Sequence, residues 1–265
     1  MKVTLVITTY NWPEALKLVL ESINHQVIPP NEVIIADDGS AKETKDLINN
    51  FNLNSNLHVT HSWQEDFGFR AARSRNKAIA KASGDYIILV DGDSILHSYF
   101  VQDHIANAEP GYFVQGSRAL LSKGQTKAAI DGKKTRSLFF SAELKNRKNS
   151  IHSKLLSLIF SNKKNNMRGI KSHNMAFYKN DCLGINGFNN NFEGWGREDS
   201  EFVARLFNYG VKRKNIRFNA IQFHLWHNEN SRIALEVNDA ILEDTINNRT
   251  KWCKNGINSI KKNES

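Results

Sequence analysis

The chain has 265 residues, 40% hydrophobic and 24% charged, a composition that supports a sizeable core and excludes wholesale disorder, a collagen or a coiled coil. No apolar run approaches the roughly 20 residues that span a bilayer, the apolar start breaks at Asn11, and Cys182 and Cys253 lack metal-ligand spacing, so a reducing cytosol is the expected home. The net charge of +9 is local: residues 133–171 hold eleven Lys or Arg against one acid, Glu143, and the remainder is near neutral.

In chain order, residues 3–9 are β-branched and apolar, the pattern of a buried strand, and stop at the polar pair Tyr10-Asn11. Pro13 suits a first helical turn, after which Ala15, Leu16, Val19, Leu20 and Ile23 recur at helical spacing. Residues 32–36 predict a strand that ends in the turn Asp37-Asp38-Gly39-Ser40. A helix through Leu47 and a short strand at 57–60 follow. Residues 71–82 predict a helix with Arg and Lys on its polar side, and the apolar run 86–90 a strand that stops at Asp91-Gly92-Asp93. Such alternation points to βαβ units and a mostly parallel sheet. Residues 120–171 interrupt it and carry the basic stretch around an apolar island at 155–160. Beyond lie a strand at 174–178, a Gly-rich turn region, a helix at 199–209 closed by Gly210, a strand-like 221–225 and a terminal amphipathic helix at 232–255.

Ligands of such sheets bind outside the carboxyl ends of the strands. Three strand ends carry polar groups there: Thr8-Thr9-Tyr10-Asn11, Asp37-Asp38 and Asp91-Gly92-Asp93. Paired carboxylates at 91 and 93 suit a hard divalent cation and a diphosphate, with an Asp-Gly turn as the plainer reading. Asp37 or Asp38 could accept hydrogen bonds from a base or ribose, or serve only as turn and cap. Arg70, Arg73 and Arg75 crowd a helix start, where they oppose the helix dipole; an incoming phosphate would resolve that conflict. The run Gly194-Trp195-Gly196-Arg197-Glu198-Asp199 lets backbone approach a ligand beside an aromatic face and two acids. His224 or His227 could complete a mixed N/O metal site with Asp93.

These pieces resemble nucleotide-sugar glycosyltransferases of the GT-A fold, of the family 2 inverting type. The matching segments are Ile7 to Asn11, Ile35 to Ser40, Arg73 to Ile79 and Gly84 to Asp93. Asn174 to Phe177, Ile185 to Phe188 and Gly194 to Asp199 are similar to the C-terminal part of β-1,4-galactosyltransferases and chondroitin-type polymerases. The resemblance implies an α/β, Rossmann-like single domain with a mostly parallel central sheet flanked by helices. That GT-A domain would span 1–230: a nucleotide-binding part (1–120), a basic insertion (121–171) and an acceptor and catalytic part (172–230), with a helical extension at 231–265. Thr8, Tyr10, Asp37 and Asp38 would line the nucleoside pocket, with Arg70 and Asn76 on the nucleotide and Asp91 facing ribose and metal. Asp93 and His227 would ligate Mn²⁺ or Mg²⁺, with His224 where galactosyltransferases place a Met three residues before that His. Asp199 would be the base, Glu198 would bind donor or acceptor hydroxyls, and Trp195 would lie against the acceptor sugar.

The implied reaction moves a hexose or N-acetylhexosamine from a UDP-sugar to a glycan or lipid-linked glycan acceptor, such as a lipopolysaccharide core or capsule. Alternatives are a nucleotidyltransferase acting on sugar phosphates, which leaves 194–199 unexplained, and a polyanion-binding protein working through 133–171. Nucleic acid is a poor fit, since few aromatics interleave the cations. The charge pattern instead suggests peripheral docking on the inner face of the cytoplasmic membrane, against anionic lipid.

Overall fold

The computed structural model describes residues 1–55, 57–132, 143–228 and 231–263, with side chains up to Ile260. The cations at 133, 134 and 136 and the aromatics Phe139 and Phe140 therefore lie outside the described residues.

The apolar runs become parallel neighbours. β1 (Val3–Thr9), β2 (Glu32–Asp37), β3 (Val59–Trp63) and β4 (Tyr86–Asp91) stand in the order β3-β2-β1-β4. The third strand begins two residues later than the pattern implied. The period-2 alternation of a strand divides its side chains between two cores. Leu5 and Ile7 pack with Leu16, Val19 and Leu20 of α1 (Pro13–Asn24), whereas Val6 packs with Ala78 and Ile79 of α3 (Ala71–Lys81). The intervening α2 (Lys42–Asn54) adds Ile48 to the first core.

The eight-stranded sheet then continues β9-β6-β10-β8 beyond β4. β9 (Asn174–Tyr178) lies antiparallel between β4 and β6 (Tyr112–Gln115), and β10 (Lys212–Asn215) returns parallel to β6. The sheet is thus mainly parallel in its first half and mixed in its second. β8 is only Asn162–Lys163 at the edge. A second, three-stranded sheet joins β5 (Ser94–Leu96), β11 (Gln222–His224) and β7 (Arg118–Leu120).

Four further helices, α4 (Phe100–Asn107), α5 (Lys123–Ile130), α6 (Lys154–Phe160) and α7 (Lys179–Gly184), lead to α8 (Glu198–Tyr209), which stops at Gly210 in the left-handed region. A fully buried ion pair fixes α8. Arg205 donates to both Glu201 oxygens at 2.7 and 2.8 Å and to the Ile185 carbonyl at 2.7 Å, and Thr245 donates to Glu201 at 3.2 Å. Bidentate geometry with every guanidinium nitrogen partnered is the condition under which such a pair survives burial.

The single terminal helix expected over 232–255 is two. α9 (Leu235–Asn247) ends before Arg249, which has φ 50°, and α10 (Ile257–Asn263) follows an irregular stretch. Amphipathic spacing continues through that break, but Gly256 must pass Asn186 so closely that an added Cβ would lie 1.9 Å from the Asn186 carbonyl. Ile257 joins the core of α3 and α8, so the C-terminal segment is built into the main body. Among the described residues, no helix is long and apolar enough to cross a membrane.

Candidate active site

The site begins where β1, β2 and β4 end together, with Thr8 opposite Asp91 and Thr9 opposite Asp37 in the strand registers. Gly92 leaves β4 with its N–H bonded to the Thr8 carbonyl at 2.7 Å, and a Cβ there would meet that oxygen at 2.9 Å. The glycine between the two aspartates is therefore a steric requirement. It turns the chain so that Asp93 enters the second sheet.

That sheet assembles the next group. β11 pairs antiparallel with β5, His224 opposite Ser94, and the Leu225 N–H binds the Asp93 carbonyl at 2.9 Å. His224 Nδ1 then lies 3.5 Å from Asp93 Oδ1, and His227 Nε2 lies 3.4 Å from Asp93 Oδ2. One ligand atom from each of the three falls within 4.8 Å of the others. Burial pushes His224 down to about 4, and its Nδ1 is buried without a hydrogen-bond partner. Burial also works against charge on Asp93, but the hydrogen bond from His227 and the two nearby imidazoles outweigh it and lower its pKa; that same hydrogen bond raises His227. An orphaned imidazole nitrogen facing a carboxylate and a second imidazole is a donor set suited to a divalent transition metal.

Arg75 forms the hub on the other side. Its Nε donates to Thr8 Oγ1 at 3.1 Å, one terminal nitrogen to Glu198 Oε1 at 3.1 Å, and the other lies 3.7 Å from Asp91. One guanidinium thus ties the β1 and β4 exits to the start of α8. Burial first, then Glu198, pushes Asp199 up to about 6, with Arg75 and Lys171 pulling the other way. Asp91 reaches about 6 for a similar reason, burial and then Asp93. Among the described residues, Asp199 accepts hydrogen bonds only locally, from the Ser200 N–H at 2.7 Å and hydroxyl at 3.3 Å. The loop before α8 is clamped from α9: Asn238 donates to the Gly196 and Glu193 carbonyls, and Arg197, at φ 74°, pairs with Asp239. Trp195 sits half-buried under the Arg232 guanidinium, 5.7 Å from its ring centre.

The nucleoside-side residues divide. Asp38 is buried, accepting from Gln64 and from the Arg70 N–H at 2.6 Å each, and burial raises its pKa against those bonds. Tyr10 is exposed, and its hydroxyl donates to Asp66 at 2.8 Å, which raises its pKa. Asp37 anchors the turn, fully buried with one oxygen on the Ser40 N–H and the other on His61. Asn76 does not face the cleft. Its fully buried amide donates to the Phe188 carbonyl and Asn190 and accepts from the Phe188 N–H, holding the 186–190 loop on α3. Arg70 likewise turns back, donating to the Glu65 carbonyl under the Phe67 ring. Of the three arginines, Arg75 is the one among the acids.

Arg118 of β7 escaped the sequence reading. It is close enough to Asp91 and Asp93 to act on both, and burial lowers its pKa. The available signal was a lone cation in a short strand between Gly116 and an apolar pair.

Comparison with known proteins fixes the class, then the family. S. aureus TarS superposes with a TM-score of 0.63 at 17% identity over 94% of this chain and 40% of its own. A mannosyltransferase of Pyrobaculum calidifontis, solved with GDP-Man and Mn²⁺, gives 0.59 at 16% identity over 90% of this chain and 61% of its own. The fold is that of the GT-A glycosyltransferases. The sequence profile of glycosyl transferase family 2 matches residues 4–169, and this chain belongs to that family. A profile described as the N-terminal domain of galactosyltransferase matches 156–228. The hyaluronan synthase of Pasteurella multocida is 27% identical over 80% of this chain, and the chondroitin synthase of Escherichia coli 25% over 83%. The chain spans only 23% and 34% of those two relatives' lengths. Family membership favours the glycosyltransferase reading over the nucleotidyltransferase one.

Proposed function

We propose that this glycosyltransferase moves a hexose or N-acetylhexosamine from a UDP-sugar to a glycan acceptor, of the lipopolysaccharide-core or capsule kind, with inversion at the anomeric carbon. The observation that carries the reading is Asp199. It is a carboxylate whose pKa is raised to about 6 by burial and Glu198, next in the chain to the Glu198 that shares the Arg75 guanidinium with Asp91. A base works best with a pKa near the working pH, where it contributes about 10²- to 10⁴-fold.

Asp199 takes the proton from the acceptor hydroxyl as its oxygen bonds to the anomeric carbon. The bond from that carbon to the diphosphate oxygen breaks, and the electron pair leaves with the diphosphate. One carboxylate suffices for this single displacement. Arg75 holds Glu198 in place and keeps positive charge near Asp199, so that the base remains ionised at neutral pH. In this reading Asp38 and Tyr10 would take the nucleoside, Arg118 the developing negative charge, and Trp195 the acceptor ring. Asp93, His224 and His227 would hold a Mn²⁺ or Mg²⁺, which when bound supplies charge neutralisation for the diphosphate; the imidazole donors favour Mn²⁺. UDP is supported by a second TarS structure solved with UDP, TM-score 0.62, and the alternative guanine donor by the GDP-Man complex.

The test is nucleoside diphosphate release from a panel of UDP- and GDP-sugars, with and without Mn²⁺. Release from a UDP-sugar that stops with chelator is expected. No release from any donor would refute the reading.

Membrane docking is favoured by α6, where Leu155, Leu158, Ile159 and Phe160 are 69, 83, 64 and 50% exposed amid the basic stretch. A 24% identical Campylobacter jejuni glucosyltransferase carries an undecaprenol-linked substrate in its name. Exposed apolar side chains beside cations suit an anionic leaflet, where each cation is worth about 1 kcal/mol. Flotation with anionic vesicles should fall in Leu158→Glu/Ile159→Glu; undiminished flotation would exclude α6 as the anchor.

A further inference from the structure

A cavity of about 550 Å³ opens between the β6–β7 turn, β10 and the 162–171 segment. Its charged lining is cationic throughout: Arg118, Lys164, Arg168, Lys171, Arg213 and Arg217, with amides of Asn149 and its neighbours between them and no Asp or Glu among the described residues. None of the six makes an ion pair among the described residues. Arg213 is the costliest. It is 6% exposed, donates to the Asn166 and Arg168 carbonyls, and leaves Nε buried without a partner. Burial depresses Arg213 with no carboxylate to offset it, whereas Arg118, also depressed by burial, faces Asp91 and Asp93. A guanidinium held out of water without a counter-charge is unfavourable unless an anion completes it.

The position of the cavity says which substrate the anion belongs to. Its lining includes His173, whose Nδ1 lies 2.7 Å from the Gln222 amide nitrogen of β11, and Arg118, which pairs with Gln222 in register. It therefore reaches the strand that carries His224, and its Lys171 lowers the pKa of Asp199. In the sheet order it lies beyond β9, on the side of β4 away from β2 and the nucleoside residues. Its size falls within the range of small-ligand pockets, about 300–1,000 Å³.

We propose that this cavity is the acceptor subsite, and that the acceptor carries a phosphate or carboxylate within one sugar of the attacking hydroxyl. The proposal rests on the glycosyltransferase reading above. Asparagine amides read the sugar hydroxyls; the arginines and lysines read the anion. The basic stretch is thus in part a substrate-recognition element.

The test is titration calorimetry on the whole chain, saturated with whichever of UDP or GDP binds, so that phosphate probes do not enter the donor site. The probes are glucose 6-phosphate, glucuronate and glucose. Either charged sugar should bind more tightly than glucose, and the tighter of the two identifies the anion. Lys164→Gln/Arg168→Gln/Arg217→Gln, all at exposed side chains, should weaken charged-sugar binding about tenfold or more without changing nucleotide affinity. Glucose binding as tightly as the charged sugars, no binding by any of the three, or charged-sugar binding undiminished in the triple variant would overturn the proposal. If neither nucleotide binds, the donor reading fails separately, and the sugar titrations are judged by the same criteria without it.

Discussion

Arg75→Met removes a cation that pairs with Glu198 and lowers the pKa of Asp199. An opposite charge at this range typically shifts a carboxyl by about 1–3 pH units, so Asp199, already at about 6, should rise to about 7 or above in the variant. A carboxyl whose folded value lies above its unfolded value opposes folding. The penalty is absent below the unfolded value of about 4, grows as pH rises and is complete above the folded value. A further rise of about one pH unit adds about 1.4 kcal/mol at pH 8 and almost nothing near pH 5, where the folded carboxyl is protonated in both proteins. Loss of the bonds to Thr8 and Glu198 adds a pH-independent cost of about 1–3 kcal/mol. Urea unfolding at about pH 5 and about pH 8 should therefore show a stability gap wider by at least about 1.4 kcal/mol at the higher pH, because Asp91 loses the same counter-charge. The acid limb of kcat/KM should move from about 6 toward 7. Equal destabilisation at both pH values, with an unmoved limb, would refute the hub role of Arg75.

Asp199→Asn should cost about 10²- to 10⁴-fold in transfer while nucleotide-sugar binding, read by calorimetry, stays near wild type. Glu198→Gln should shift the acid limb of the pH–rate profile to lower pH, because it removes the negative charge that helps raise Asp199. Asp93→Ala and His227→Ala should each lose Mn²⁺ binding followed by electron paramagnetic resonance. Gly92→Ala should lose about 1–3 kcal/mol in thermal unfolding, since its Cβ would press on the Thr8 carbonyl.

The central strands were legible because β1, β2 and β4 are buried on both faces and so read as unbroken apolar runs. The placement of β9 was not, since strand direction is decided by the sheet and leaves no local mark: Asn174–Tyr178 is apolar whichever way it runs. Asp93 and His227 were recoverable from strand-end chemistry, and β5–β11 pairing brings them together across the chain. The bonding of Asn76 leaves no local mark in the sequence. A polar residue on a helix among arginines looks like a ligand contact, whereas the loop at Phe188 needs its amide for two backbone bonds. Arg118 was missed because its importance arises from β7 joining β11, a pairing that no short window contains.

The most direct measurement needs no acceptor. Purified chain is incubated with an α-linked nucleoside-diphosphate sugar, and proton NMR follows the sugar released to water before mutarotation scrambles it. A single displacement assisted by Asp199 delivers the β-anomer first, and none from Asp199→Asn. The α-anomer as the first-formed product would contradict the mechanism.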